Sequence, residues 1–334
     1  MRCKAMDYYL REILVTPVAS ESLGVRSMCT YVETPDVKIL LDAGVSLGPN
    51  RFGLPPHPRE YRALKDRREE IIRFAEKSNV VTVSHYHFDH HTPSFTDWVY
   101  NWCSAEIAEK TYRGKTVLAK SYREYANFSQ RRRGWLFAKT SGGYAERLEV
   151  ADNRTFMFGD TSISFSKPVF HGPEGSDLGW VIISVIRHKG ECVLFAPDVQ
   201  GPISQETLSI ILNEKPQVAI IGGPPMYLAE FRLSHEDISL AIENLKIIAK
   251  HIPVVILDHH LLRDENWSYA VKPVIESAAS VGHKVLTSAE FMGKENYLLE
   301  AFRRRLYADE PPSSDFMRWL KKPLAERKTT PPPI

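Results

Sequence analysis

The chain has 334 residues and a formal net charge of +2, with 43 basic and 41 acidic side chains. A charge this close to balance excludes the strong positive field of a protein that binds nucleic acid over its whole surface. Apolar residues make up 43% of the chain, which is enough for a large buried core. Apolar runs such as 180–186 are well under the ~18 residues that suggest a membrane span, so we expect no membrane partner.

The cysteines and the first residues of the chain both favour a cytoplasmic over a secreted protein. The four cysteines, at positions 3, 29, 103 and 192, are far apart and form no C-x-x-C pair. Such usage is typical of buried, reduced thiols. Residues 1–4 are not followed by the apolar stretch of a secretory signal. We therefore expect a cytoplasmic protein.

Strand-like runs alternate with helical patterns along the chain, as an α/β layer fold requires. Gly159-Asp160 predicts the turn of a hairpin, and Ser234 is predicted to cap the start of a helix. In chain order, the predicted elements are a strand at 37–41, a helix at 58–77, a strand at 80–83, a hairpin at 156–163, strands at 161–170, 191–196 and 217–221, a helix at 235–250 and a strand at 252–257.

Four of the twelve histidines fall within seven residues, directly after the predicted strand 80–83. On an extended chain residues i and i+2 point the same way, so His85 and His87 can present their imidazoles to one ion. Asp89 and His90 follow where the chain begins to turn, and they can face a second ion. Imidazole and carboxylate together suit zinc, manganese or iron better than calcium. The sequence therefore predicts a metal site.

The motif His85-x-His87-x-Asp89-His90 resembles the signature of the metallo-β-lactamase superfamily. Members of that superfamily have three later ligands, each after a strand: a histidine, an acid and a second histidine. Candidates stand in the same order here, after the predicted strands that end at 170, 196 and 257. These candidates are His171, Asp198 and either His259 or His260.

The resemblance implies two divalent ions, with zinc as the first choice and manganese or iron as alternatives. The implied ligands are His85, His87 and His171 for one ion, Asp89, His90 and His259 for the other, and Asp198 as a bridge. Only one of His259 and His260 is needed, and the similar stretch of tRNA-processing relatives favours His259. Oxygen-reducing di-iron members usually carry glutamate at the position of His87, so histidine here favours a zinc-type hydrolase over redox chemistry.

The resemblance also implies an α/β fold, the four-layer αββα sandwich of the superfamily, over residues 1–305. Within it, segment 98–150 is the expected source of substrate specificity. Residues 306–334 are expected to form a carboxyl-terminal extension with a disordered Pro-rich tail. Its amphipathic part, 315–323, has two alternatives: docking on the domain, or docking on a second subunit in a homo-oligomer. The segments similar to an archaeal group of predicted metal-dependent hydrolases in the superfamily are 22–27, 41–44 and 54–58.

The implied chemistry is hydrolysis. Two divalent ions roughly 3.5–4 Å apart can hold a water molecule and lower its pKa from 15.7 towards about 7. Asp89 is the expected acceptor of the water's proton, and His260 is the first candidate to protonate the leaving group. The expected substrate is a phosphodiester, in a nucleic acid or a small molecule, or another phosphorylated small molecule. A lactone or a thioester is the alternative substrate.

Three consecutive arginines stand in the predicted specificity segment. Arg131, Arg132 and Arg133, together with His91, are candidates for binding the substrate, because guanidinium groups pair with phosphates. Charge runs of this kind are more often solvated faces, and consecutive helical residues splay so widely that at most two can face one ligand. A second class of function stays open: a non-catalytic protein that keeps its metal site and binds nucleic acid or a partner through the 131–133 face.

Overall fold

Two β-sheets form the centre of the computed structural model, which describes residues 10–228 and 233–334. The strands are β1 (Leu14–Pro17), β2 (Thr30–Glu33), β3 (Lys38–Leu41), β4 (Val80–Val83), β5 (Thr116–Ala119), β6 (Arg147–Val150), β7 (Thr155–Phe158), β8 (Thr161–Phe165), β9 (Val169–Phe170), β10 (Trp180–Val181), β11 (Ser184–His188), β12 (Glu191–Ala196), β13 (Val218–Gly222), β14 (Val254–Asp258) and β15 (Lys284–Leu286). The α-helices are α1 (Pro58–Lys77), α2 (Ala105–Tyr112), α3 (Phe128–Lys139), α4 (Gln205–Glu214), α5 (His235–His251), α6 (Trp267–Ala279), α7 (Ser288–Phe291), α8 (Arg303–Asp309), α9 (Ser314–Leu320) and α10 (Leu324–Thr329). Short 3₁₀ turns lie at Glu21–Leu23, Ser141–Tyr144, Met226–Leu228 and His259–Arg263.

Both sheets combine antiparallel and parallel pairing. The amino-terminal sheet has the order β1-β2-β3-β4-β5-β6, with β1 to β3 antiparallel and β3 to β6 parallel. The carboxyl-terminal sheet has the order β15-β14-β13-β12-β11-β8-β7, with β12 to β15 parallel and the other pairs antiparallel. Parallel strands place their carboxyl ends, and the loops that follow them, at one edge of a sheet. Six of the seven predicted ligands follow β4, β12 and β14, which are strands of this kind.

Three apolar cores separate four layers of secondary structure. The central core lies between the sheets, where side chains such as Val32 and Leu118 belong to one buried cluster with Phe195 and Ile220. A second core packs α1, α2, α3 and α9 on the outer face of the amino-terminal sheet. A third core packs α4, α5 and α6 on the outer face of the carboxyl-terminal sheet. The predicted four-layer αββα sandwich is therefore confirmed. Among the described helices, none is both long and apolar enough to cross a membrane.

Helix α1 and strand β4 have the bounds that the sequence predicts, 58–77 and 80–83. The start of α1 is fixed by a capping box. The His57 ring accepts a hydrogen bond from the Arg59 amide, and the Glu60 carboxylate accepts one from the His57 amide at 2.8 Å. Since β4 begins three residues after α1 ends, the helix end also sets the start of the strand that leads to the histidine cluster.

The predicted strand 161–170 is in fact two strands, β8 and β9. Pro168 lies between them, and proline has no amide hydrogen to donate to a sheet. After the break, β9 pairs with β10 in a separate two-stranded ribbon. His171 therefore follows this ribbon and not a strand of the large sheet.

Residues 306–334 pack on α1 through aromatic side chains. Phe316 and Trp319 of α9 are buried and contact Tyr61 edge-on, with ring centroids 5.7 and 5.5 Å apart. The buried ion pair between Arg303 Nη2 and Glu60 Oε1, 2.7 Å long, joins α8 to α1. Helix α9 and Leu306 of α8 thus belong to the core that covers the amino-terminal sheet, whereas α10 has no buried residue.

We predict that Phe316→Ala lowers the free energy of unfolding by about 3–5 kcal/mol, because it leaves a cavity where a fully buried ring packs on Tyr61. Chemical denaturation followed by circular dichroism measures this change. The matched control is Met317→Ala, since Met317 is the next residue on α9 and is exposed. Equal stability of the Phe316→Ala variant and the wild type would contradict the docking of α9.

Candidate metal centre

Imidazoles from three separate segments surround one buried carboxylate, that of Asp198. The Nε2 atoms of His171 and His85 lie 2.9 and 3.1 Å from its Oδ2 atom. The Nε2 atoms of His259 and His260 lie 2.9 and 3.3 Å from its Oδ1 atom. These side chains come from positions as distant as 85 and 260, so only the tertiary fold can assemble the cluster.

Two groups of potential ligand atoms coincide with the two sets that the sequence predicts. Within each group the candidate atoms all lie within 4.8 Å of one another. The first group is His85, His87, His171 and Asp198, and the second group is Asp89, His90 and His259. We refer to these seven residues together as the His/Asp cluster.

Strand ends supply every segment of the His/Asp cluster. Residues 85–90 follow β4, His171 follows β9, Asp198 follows β12, and His259 follows β14. Asp198 and His259 have φ angles of 53° and 73°, in the left-handed region that few non-glycine residues adopt. Such backbone strain is stored mostly at functional sites, and here it sits at two of the predicted ligands.

Several polar atoms at the centre of the cluster lack a partner within the described part of the chain. They are His85 Nε2, His90 Nε2, His260 Nε2 and Asp198 Oδ1. Buried polar atoms are almost always hydrogen-bonded, and here imidazole nitrogens and a carboxylate oxygen point at the same space. Lone pairs of these two types are what a divalent transition ion accepts. The donor set therefore fits a metal.

The outward nitrogens of the imidazoles are held by carboxylates. His90 Nδ1 lies 2.8 Å from Asp42 Oδ2, and His259 Nδ1 lies 2.8 Å from Glu21 Oε2. Asp42 also accepts a 2.8 Å hydrogen bond from the Ser84 amide. Carboxylates in this position orient metal-binding histidines and fix their tautomer.

Asp42 and Glu21 were not among the predicted site residues. Asp42 had a usable signal, because it follows β3 at the same sheet edge as the residues after β4. Glu21 had none, since it lies in a short 3₁₀ turn, 238 residues before its partner His259.

Gly44 lets the segment that carries His90 approach closely. A methyl group in place of its hydrogen would lie 2.4 Å from the amide nitrogen of His90 and 2.2 Å from that of His91. Both neighbours are backbone atoms, so no side-chain rotation could relieve the clash. Glycine at this position is therefore a requirement of the cluster's packing.

Burial and neighbouring charges shift the pKa values of the cluster in opposite directions. Burial lowers the pKa of His85 well below its ordinary value, and neighbouring imidazoles lower it further. For His90, the attraction of Asp198 outweighs burial and raises the pKa well above its ordinary value. For His259, Glu21 and Asp198 together outweigh burial and raise the pKa to about 9. Without an ion, His90 and His259 therefore retain protons at the positions where a metal cation would bind.

A cleft of about 210 Å³ opens onto the His/Asp cluster. Its lining includes His87, Asp89, Asp198, Tyr227 and His260. The cleft gives a small substrate group access to residues of both ligand sets.

The predicted substrate-binding residues do not all lie together. Arg131 and Arg132 are exposed, and the Nε of Arg131 donates to the carbonyl oxygen of Ala126 at 3.0 Å. Arg133 is half-buried, and its guanidinium carbon lies 5.1 Å from the centroid of the Phe88 ring. His91 is buried beside the metal segment, outside the cleft that lines the cluster.

The layered fold and the His/Asp cluster at the strand ends define a protein of the metallo-β-lactamase fold. Among solved structures, unliganded yeast PDE1 is similar with a TM-score of 0.50 at 10% identity, over 83% of this chain and 98% of that chain. The metallo-β-lactamase fold protein YhfI from Bacillus subtilis has a TM-score of 0.47 at 11% identity, over 86% of this chain and 98% of that chain.

The chain belongs to the UPF0282 family. It is 44% identical over 296 residues to the UPF0282 protein of Methanopyrus kandleri, which covers 89% of this chain and 99% of the relative. It is 46% identical over 297 residues to that of Pyrobaculum islandicum, with 89% and 95% covered. No model of a known protein family matches the sequence. These archaeal relatives confirm the resemblance to an archaeal group that the sequence indicated.

We predict that Zn²⁺ binding at pH 7 releases protons, and that affinity rises with pH towards about 9. The reason is that His259, with a pKa of about 9, is protonated at pH 7 and must lose its proton before it can bind a cation. Calorimetric titration in two buffers of different ionisation enthalpy measures the number of protons released.

Glu21→Gln serves as the comparison for this titration. It removes the charge that raises the pKa of His259, so fewer protons should be released at pH 7. Equal proton release by the variant and the wild type, or none by either, would contradict the assignment.

Proposed function

We propose that the protein is a metal-dependent hydrolase whose ions are held by the His/Asp cluster. The observation that carries the proposal is the convergence of buried, unpartnered imidazole and carboxylate atoms at the floor of an open cleft. A structural metal site is closed by its ligands, whereas a catalytic site keeps access for water or substrate. When bound, a pair of divalent ions supplies hydroxide at neutral pH and stabilises negative charge on the substrate.

The proposed ligands are His85, His87 and His171 for one ion and Asp89, His90 and His259 for the other. The placement of Asp198 supports its role as the bridge. Its Oδ1 atom faces His259, while its Oδ2 atom faces His85 and His171 and also His90, at 3.3 Å. A ligand set dominated by imidazole favours zinc among the divalent ions.

Opposite ring tautomers support His259, and not His260, as the last ligand. His259 Nδ1 contacts Glu21, and since a carboxylate only accepts, this nitrogen carries a proton; the lone pair of the neutral ring is on Nε2, which lies 3.5 Å from Arg263 Nη2. His260 Nδ1 lies 3.1 Å from Arg263 Nη1. A guanidinium only donates, so neutral His260 carries its proton on Nε2. His260 therefore presents an N–H group to the cleft and no lone pair.

Asp89 and His260 are the proposed proton-handling groups. Two neighbouring imidazoles, His90 and His259, outweigh burial and hold the pKa of Asp89 well below its usual range, so Asp89 is ionised at neutral pH and is a weak base while those imidazoles carry protons. The Nε2–H group of His260 faces Asp198 across 3.3 Å and can donate to an oxygen of the substrate.

We propose a phosphodiester or another phosphorylated compound as the substrate. Tyr227 and His260 line the cleft and can donate hydrogen bonds. Arg263 lies behind them, with its Nη1 atom 3.1 Å from both the Tyr227 hydroxyl and His260 Nδ1. Donors of this kind suit the oxygens of a phosphoryl group. Segment 98–150 remains the proposed source of specificity, because its Arg133 approaches the cluster closely enough to interact with Asp89.

We predict that metal-loaded protein hydrolyses at least one of four generic substrates: a phosphodiester, a phosphomonoester, a lactone or a thioester. His87→Ala and Asp198→Ala should each abolish this turnover, because each removes a ligand. His251→Gln is the control, since His251 is exposed at the end of α5. Absence of turnover on all four substrates, with RNA binding lost in a variant that lacks the 131–133 arginines, would favour the non-catalytic alternative.

We predict different defects for the two adjacent histidines. His259→Ala should lose about one of two bound ions, since its Nε2 lone pair is removed. His260→Ala should keep both ions but lose roughly 10²–10³-fold in kcat, as expected when one donor to a developing charge is removed. Elemental analysis and steady-state kinetics measure the two effects. The reverse pattern would make His260 the ligand.

A further inference from the structure

A second cavity, of about 260 Å³, lies between α3 and the segment that follows the metal motif. We refer to it as the aromatic pocket. Its lining includes Phe88, His91, Phe95, Arg133, Phe137 and Ser141, and it shares no lining residue with the cleft over the His/Asp cluster. The volume is just below the roughly 300–1,000 Å³ of most small-molecule sites, so it suits a small ligand.

Two polar side chains of the aromatic pocket are deeply buried without a well-directed hydrogen bond. His91 is 2% exposed, and neither of its ring nitrogens forms a well-directed hydrogen bond in the described residues, although the backbones of Tyr86 and Thr92 interact with the ring. The hydroxyl of Ser141 is equally buried and equally unpartnered. Each buried polar group left unpaired costs about 1–3 kcal/mol. Two such groups on one cavity indicate that a molecule from outside supplies their hydrogen bonds.

Arg133 brings an uncompensated positive charge to the same pocket. Within the described part of the chain its guanidinium forms no ion pair, and it lies over the face of the Phe88 ring. Burial lowers the pKa of this guanidinium, and Asp89 only partly offsets that effect. The pocket therefore has one cation and no anion of its own.

Three phenylalanines supply the aromatic part of the lining, and Pro93, Ser94, Leu136 and Thr140 complete it. The Phe88 and Phe95 rings meet edge-on with centroids 5.3 Å apart, and the His91 ring lies 5.2 Å from that of Phe137. The three phenylalanine rings suit a flat apolar body.

We propose that the aromatic pocket is a second ligand site, which binds a small organic anion with an aromatic or other apolar body. The anionic oxygens pair with Arg133, the body lies among Phe88, Phe95 and Phe137, and His91 and Ser141 complete the hydrogen bonds. The site goes beyond the proposed hydrolase function, because its lining is separate from the metal cleft.

The test measures binding of benzoate and of acetate to the metal-loaded protein by calorimetry. Benzoate should bind at least about tenfold more tightly than acetate, which has the same charge without the ring. Arg133→Gln should weaken benzoate binding by about tenfold or more, since it removes a charge-assisted pair. Arg132→Gln is the matched control, because Arg132 is exposed on the same helix and should leave the affinity unchanged. Ser141→Ala, a smaller change at a second wall, should weaken binding with little risk to folding.

His87→Ala separates this site from the metal centre. If the pocket binds benzoate, the affinity persists in His87→Ala and falls in Arg133→Gln. If benzoate instead loses affinity only in His87→Ala, its carboxylate binds the metal centre and the proposal is overturned. The absence of saturable benzoate binding would also overturn it, and would leave the proposed hydrolase function untouched.

Discussion

The buried carboxylate of Asp198 is the charge around which the candidate metal centre is built. Asp198 is 1% exposed and has the Nε2 atoms of five imidazoles, His85, His90, His171, His259 and His260, within 3.3 Å. Taking such a charge out of water is costly unless a counter-charge accompanies it. Protons on some imidazoles can provide that counter-charge, and so can divalent ions, which explains why the same geometry raises the pKa of some histidines and suits metals.

The fold brings together the groups that compensate the buried charge of Asp198. Parallel strands of both sheets end near the cluster, and the rigid sheets fix the loops that carry the ligands. Behind the imidazoles stand carboxylates from other parts of the chain, Asp42 for His90 and Glu21 for His259. Glu21 also binds Arg263 at 2.7 Å, and Arg263 in turn contacts His260. Glu21 thus contacts His259 directly and His260 through Arg263.

The short segment 85–91 serves two environments. His85, His87, Asp89 and His90 belong to the cluster, while Phe88 and His91 line the aromatic pocket. The pocket and the cluster also interact electrostatically, because the charge of Asp89 raises the pKa of Arg133. A ligand that neutralised Arg133 would therefore alter the field at a proposed metal ligand without touching it.

Local pattern was enough to predict helix 58–77, strand 80–83 and the position of each candidate ligand after a strand. Short-range periodicity and capping set these features, and neighbouring residues encode them. The four-layer sandwich and the grouping of distant ligands were predicted from the resemblance to a known superfamily. The carboxylates behind the imidazoles, and the arginine that turns inward, became visible in the folded chain alone. Glu21 meets His259 across 238 residues, and Arg133 rather than Arg131 is half-buried, because long-range packing, not local pattern, sets those contacts.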